Sequence, residues 1–166
     1  MKNLKIYVKM LLVVVFLTAI SLNAQKAPDF TIETFDGKTI RSSELLKNGP
    51  IFLDFWATWC QPCIRALPHI NSFVKKYPKL NVVVVSVDRP RDKDKAHNFV
   101  KTRRYEFIHA FDGSNKDLQS IFNMTTPPRS IIIAQDGEII MDSTGYKPGD
   151  EEKYIEILDK LFSMEK

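Results

Sequence analysis

The sequence predicts an α/β protein: a central mixed β-sheet flanked by helices, entered through an N-terminal β-hairpin. Three observations carry this expectation. Apolar strand-like runs alternate with segments of helical period along residues 25–166. Val82-Val83-Val84-Val85-Ser86-Val87 is almost wholly apolar, the mark of a strand covered on both faces. Asp36-Gly37 and Gln135-Asp136-Gly137 are hairpin turn signals near either end, so antiparallel pairs accompany the helical crossovers.

Each element follows in order. Pro28-Asp29-Phe30 opens the folded part, and Thr31 to Ile40 alternates about Asp36-Gly37 as a hairpin. Ser42-Ser43-Glu44-Leu45-Leu46 reads as a capped short helix stopped by Asn48-Gly49-Pro50. Ile51–Trp56 is a strand, and a helix runs from Cys60 to about Tyr77. Pro68 lacks an N–H and should kink that helix without ending it. After the Val82–Val87 strand, Asp92 to about Arg104 is charged with Ala96, Phe99 and Val100 on one side, an amphipathic helix. Phe107–Phe111 is a short strand and Asn115–Phe122 a short helix. Ser130–Ala134 and Glu138–Asp142 flank the second hairpin turn. Asp150 to Phe162 is a last helix that buries Tyr154, Ile157, Leu158 and Leu161.

The first 24 residues read differently. Lys2, Lys5 and Lys9 precede an apolar run from Met10 to Ile20, and Ser21-Leu22-Asn23-Ala24 supplies a small-residue cleavage site. That is a secretory signal peptide, residues 1–24, which places the folded domain, residues 25–166, in the periplasm or another extracytoplasmic space. Left uncleaved, the same run is a membrane anchor. No cysteine sits at the cleavage site for a lipid anchor. Losing the leader removes three lysines and no acid, so 21 of the 24 basic residues face 20 acidic ones. Near-neutral charge argues against a nucleic-acid partner.

The only two cysteines stand in Trp59-Cys60-Gln61-Pro62-Cys63, between the apolar strand and its following helix. A sulfur at a helix N-terminus sits against free N–H groups and the positive end of the dipole, which favours thiolate. Thiolate attacks disulfides, and a second thiol within reach resolves the mixed disulfide. A loop this short does little as a staple. A zinc half-site completed by His69 has no second cysteine pair, so no metal or other cofactor is expected beyond the redox-active disulfide itself.

Ala27-Pro28-Asp29-Phe30 with Asp36-Gly37-Lys38, the string Phe55-Trp56-Ala57-Thr58-Trp59-Cys60-Gln61-Pro62-Cys63, and the segment Asp88–Phe111 together resemble the thioredoxin superfamily. The likeness is greatest to its exported TlpA/ResA-like group with an AhpC/TSA–Redoxin-like domain. The resemblance implies a thioredoxin-like fold with a helix–strand insert, Cys60 as attacking thiolate and Cys63 as resolving thiol. Asp54, six residues before Cys60 in an apolar strand, matches the family's buried aspartate. Such a carboxyl has a raised pKa and can accept the Cys63 proton through water. The family's cis-proline falls at Pro128, counting back from Ser130-Ile131-Ile132-Ile133, with Pro127 directly beside it. The residue before it pairs its backbone with the client chain; Pro127 lacks the N–H half of that pairing. Trp59, Gln61, Pro62, Pro127 and Pro128 form the implied client-binding surface, and Trp56 packs behind the disulfide. Arg129 is either a steering charge for acidic clients or a solvated one.

The implied activity is exchange of protein disulfides, in the reducing direction because Gln61-Pro62 adds no charge that stabilises thiolate. An exported reductant needs a membrane thiol-transfer protein as electron donor. Reduction of apocytochrome thiols in cytochrome c maturation is a specialised form of the same task. Two alternatives stay open. A peroxiredoxin-type thiol peroxidase needs proline seven, and threonine or serine three, residues before the attacking cysteine; Leu53 and Ala57 stand there, with Thr58 one place off. A non-catalytic module that only holds clients or metal has no need of the Cys60, Cys63, Asp54 and Pro128 set.

Overall fold

A computed structural model describes residues 25–164 of the chain; the expected leader, residues 1–24, lies outside the described residues. Seven strands and five α-helices are described. They are β1 (Thr31–Glu33), β2 (Thr39–Arg41), α1 (Ser42–Asn48), β3 (Ile51–Trp56), α2 (Gln61–Lys76), β4 (Asn81–Ser86), α3 (Lys93–Thr102), β5 (Ile108–Phe111), α4 (Asp117–Ile121), β6 (Arg129–Ile133), β7 (Ile139–Thr144) and α5 (Asp150–Met164). The central sheet runs β5-β4-β3-β6-β7. β3, β4 and β5 are parallel, and β6 and β7 run antiparallel to their neighbours. This is the mixed, helix-flanked sheet the sequence predicts.

Period-two alternation builds both cores at once. Phe52 and Trp56 of β3, Val82 and Val84 of β4 and Ile132 of β6 face α2, α3 and α5, where Leu67, Phe73, Val100, Tyr154 and Leu158 meet them. Ile51, Leu53 and Phe55 face the other way with Val83, Val85, Ile131 and Ile133, against Leu45 of α1, Leu118 of α4 and Phe122. β3 is buried along its whole length, as the middle of five strands must be.

Several expectations shift in detail. The first hairpin forms a separate two-stranded sheet, tied to β5 by a bridge between Thr34 and Ala110. The expected serine cap of α1 is not one: Arg41 holds the N-cap position without a side-chain bond. The buried Ser42 hydroxyl instead accepts from the Phe30 N–H at 3.0 Å and donates to Asp29 at 2.6 Å, stitching the hairpin's entry. α2 is one helix from Gln61 to Lys76 with Pro68 inside it. Pro68 is exposed, so its missing N–H leaves a carbonyl open to water. α4 is shorter than expected because Lys116 takes a left-handed backbone, φ 59°, and Asp112 caps the helix by accepting from the Leu118 and Gln119 N–H groups. On α5, Tyr154 and Leu158 are buried while Ile157 and Leu161 are half-buried.

Candidate active site

The β3–α2 junction carries the chemistry. β3 ends at Trp56, a turn closed by the Cys60 N–H on the Ala57 carbonyl (3.0 Å) follows, and Cys60 becomes the N-cap of α2. Its sulfur accepts the Cys63 N–H at 3.3 Å, one of the N–H groups a helix start leaves free. Cys60 and Cys63 form a disulfide with a Cα–Cα distance of 5.3 Å. Cys60 retains 5% of its surface and Cys63 none, so a partner sulfur can approach only Cys60. That asymmetry fits an attacking and a resolving role.

The neighbouring residues divide into rim and floor. Trp59 is 61% exposed, one of two large hydrophobics that stand free among the described residues. Gln61 is exposed and Pro62 half-buried, in the first turn of α2, where a missing N–H costs nothing. The Pro127–Pro128 bond is cis, which settles the cis-proline on Pro128. Both prolines are buried. Arg129 pairs with Phe55, so Pro128 lies beside the end of β3 that leads to Cys60. Arg129 itself is committed: its guanidinium grips the Asp142 carboxylate at 2.8 and 2.6 Å and donates to the Phe122 carbonyl. The Asp142 carboxylate thereby offsets its charge.

Asp54 forms the floor. It sits between Phe52 and Trp56 on the strand, so its side chain shares the α2 face with Cys63. It is fully buried and accepts one hydrogen bond, from the Ser130 hydroxyl at 2.7 Å, through Oδ1. Among the described residues Oδ2 has no hydrogen-bond partner, and neither does the buried Trp56 Nε1. Burial pushes the Asp54 carboxyl up to about 7, with the Ser130 bond pulling the other way. Ser130 lies opposite Asp54 across β6. Nothing local in the sequence singles it out, although it is the one buried polar residue of β6, between Arg129 and three isoleucines.

A second buried carboxylate, missed by the sequence reading, stands on the other side of the loop. Asp88 accepts from the Thr58 N–H at 2.9 and 3.2 Å, the Thr58 hydroxyl at 2.8 Å and the Ser86 hydroxyl at 2.9 Å. Its one signal in sequence is that a charge ends the valine run of β4. The Thr58 hydroxyl is thereby taken up by Asp88, and Leu53 and Ala57, where a peroxidase pocket needs proline and a hydroxyl, are apolar and buried. His69, the candidate zinc partner, lies on the outer side of α2 with Nδ1 3.8 Å from Glu151.

Comparison with known proteins gives the family. The Redoxin family model matches residues 22–158. Thiol-disulfide oxidoreductase ResA of Bacillus cereus (strain ZK / E33L) is 31% identical over 116 residues, 70% of this chain and 66% of that protein. ResA of Bacillus anthracis is 30% identical over 121 residues, 73% of this chain and 69% of that protein. The crystal structure of a thiol:disulfide interchange protein DsbE from Chlorobium tepidum superposes with a TM-score of 0.73 at 30% identity, covering 83% of this chain and 96% of that one.

Proposed function

Because the chain belongs to the Redoxin family and is a thiol-disulfide oxidoreductase, we propose that it is an exported reductant of protein disulfides working through Cys60 and Cys63. The observation that carries the reading is the helix-capping disulfide with one accessible and one buried sulfur. In the reduced protein the Cys60 thiolate attacks a client disulfide and one client sulfur leaves as thiolate. Cys63 then gives its proton to Asp54 through water, and its sulfur attacks Cys60 Sγ. The Cys60–Cys63 disulfide closes and the second client thiolate is released, so two electrons pass to the client. Trp59 supplies an apolar contact for the client, beside the Gln61-Pro62 turn. The Pro127 carbonyl is the acceptor left for pairing with a client strand, without a donor beside it.

The leader, residues 1–24, supports an extracytoplasmic location, and that location calls for a membrane thiol-transfer protein to return electrons to the disulfide. No resident cofactor takes part beyond the cysteine pair. Among clients, the cysteine pair of an apocytochrome before haem attachment is the specialised case the family resemblance implies. The test is insulin disulfide reduction with dithiothreitol as donor. Cys60→Ser should abolish it while still binding a disulfide client; retained reduction by that variant contradicts the reading.

A further inference from the structure

We infer that Asp88 is a positioning residue for the dithiol: its buried carboxylate pins the turn that carries Cys60 and biases the pair towards the disulfide. The inference rests on the oxidoreductase reading and goes beyond it, to what sets the strength of the reductant.

The geometry makes this carboxylate more than a fold contact. Val87 continues the sheet past its last rung by donating its N–H to the Trp56 carbonyl at 2.9 Å, and the chain then turns Asp88 in under Thr58. Asp88 is 1% exposed, and both its oxygens are occupied by donors from Thr58 and Ser86. The Ser86 hydroxyl also accepts the Asp88 N–H at 3.2 Å. From the far side the backbone of residue 113 presses on it: a Cβ at Gly113 would come within 2.0 Å of the Asp88 carbonyl oxygen, so only glycine allows the approach. Burying a carboxylate is costly unless donors surround it, and here they do. The donors come chiefly from Thr58, in the turn that the Cys60 N–H closes on the Ala57 carbonyl. Fixing Thr58 therefore fixes where Trp59 and Cys60 stand.

The same carboxylate acts on Cys60 through space. Thr58 and Cys60 are two residues apart, so their backbones are within about 7 Å of each other. A buried carboxylate bonded into the turn that carries Cys60 opposes a thiolate growing on that residue. The opposition raises the dithiol form relative to the disulfide, which makes the pair a better donor. The other charged groups near the turn are Asp54 beneath α2, and Arg89, Arg91 and Lys116, which line the cavity next to Asp88. Arg91 is drawn to Asp92 at 3.7 Å.

The experiment equilibrates the full chain with mixtures of reduced and oxidised glutathione and measures the disulfide fraction by thiol alkylation. The balanced reaction is protein dithiol plus glutathione disulfide giving Cys60–Cys63 disulfide plus two glutathione thiols. Asp88→Asn should lower its equilibrium constant about tenfold, a potential about 30 mV more oxidising. Thr58→Val removes one hydroxyl bond but keeps the carboxylate and the backbone bond, and should change the constant less than about threefold. An unchanged constant in Asp88→Asn, or an equal change in both variants, overturns the inference. If Asp88→Asn does not fold, Asp88→Glu decides: a constant within about threefold of the parent's supports the charge, and a tenfold fall contradicts it. A parent chain that equilibrates with glutathione yet fails to reduce insulin would instead overturn the functional reading.

Discussion

Asp54 and Asp88 are both buried carboxylates beside one disulfide, and the protein surrounds them in opposite ways. Asp54 receives a single hydroxyl, and its Oδ2 has no partner among the described residues. Asp88 receives the Thr58 N–H and two hydroxyls. A carboxyl starved of donors gains a proton easily, and burial pushes Asp54 up to about 7, near working pH. One surrounded by donors holds the backbone and hydroxyls that supply them. The difference shows that residue type and burial alone do not assign a role at this site. The count of donors does.

The largest break in this comparison comes from Asp54→Asn. With no group to take the Cys63 proton, decay of the Cys60-linked mixed disulfide at pH 8 should slow about 100-fold, followed by quenched-flow trapping. Stability should change as well, and the sign is fixed. The folded carboxyl binds its proton up to about pH 7 whereas the unfolded one loses it near 3.8, so the folded state holds the extra proton between these values. Stability then falls as pH rises from about 4 to about 7. Between pH 5 and pH 8 the wild type should lose about 3 kcal/mol that Asp54→Asn does not, at 1.36 kcal/mol per pH unit. Urea midpoints at the two pH values measure it, and parallel losses in both proteins would break the assignment.

Ser130→Ala sharpens the comparison by taking from Asp54 its one donor. The midpoint of the resolving step's pH–rate profile should move above about 7, the value set with the hydroxyl in place. At neutral pH that slows turnover several-fold, roughly one order of magnitude at most. A midpoint that moves down would mean that Ser130 does not stabilise the ionised form. Pro127→Thr has the smallest expected effect and touches neither carboxylate. Restoring an N–H beside the client strand should tighten peptide-disulfide capture by about threefold to tenfold, the worth of one hydrogen bond, as read by mixed-disulfide trapping. Unchanged capture would remove Pro127 from the client surface.

These two carboxylates also mark how far the sequence carried. β3, β4 and the two hairpins were legible because strand period and turn chemistry are local. Cys60, Cys63 and the cis-proline at Pro128 were legible because a spacing or a family string names them. Asp54 was legible as an acid in an apolar run. Asp88 and Ser130 were not, because each gains its role from a partner 30 or 76 residues away in sequence, brought close only by strand pairing. Ser42 shows the same limit from the other direction. It looked like a helix cap, yet its hydroxyl serves Phe30 and Asp29. Arg129 read as a solvated charge or one that steers clients, and β6 pairing with β7 sets Asp142 beside it instead.

On the proposed function this dithiol gives electrons to disulfides rather than taking them. The reduction potential of Cys60–Cys63, from equilibration with glutathione, tests it most directly. The expected value lies near the thioredoxin end of the range, about −270 mV. A value near the strongly oxidising end, about −120 mV, would contradict it and make the protein a disulfide donor.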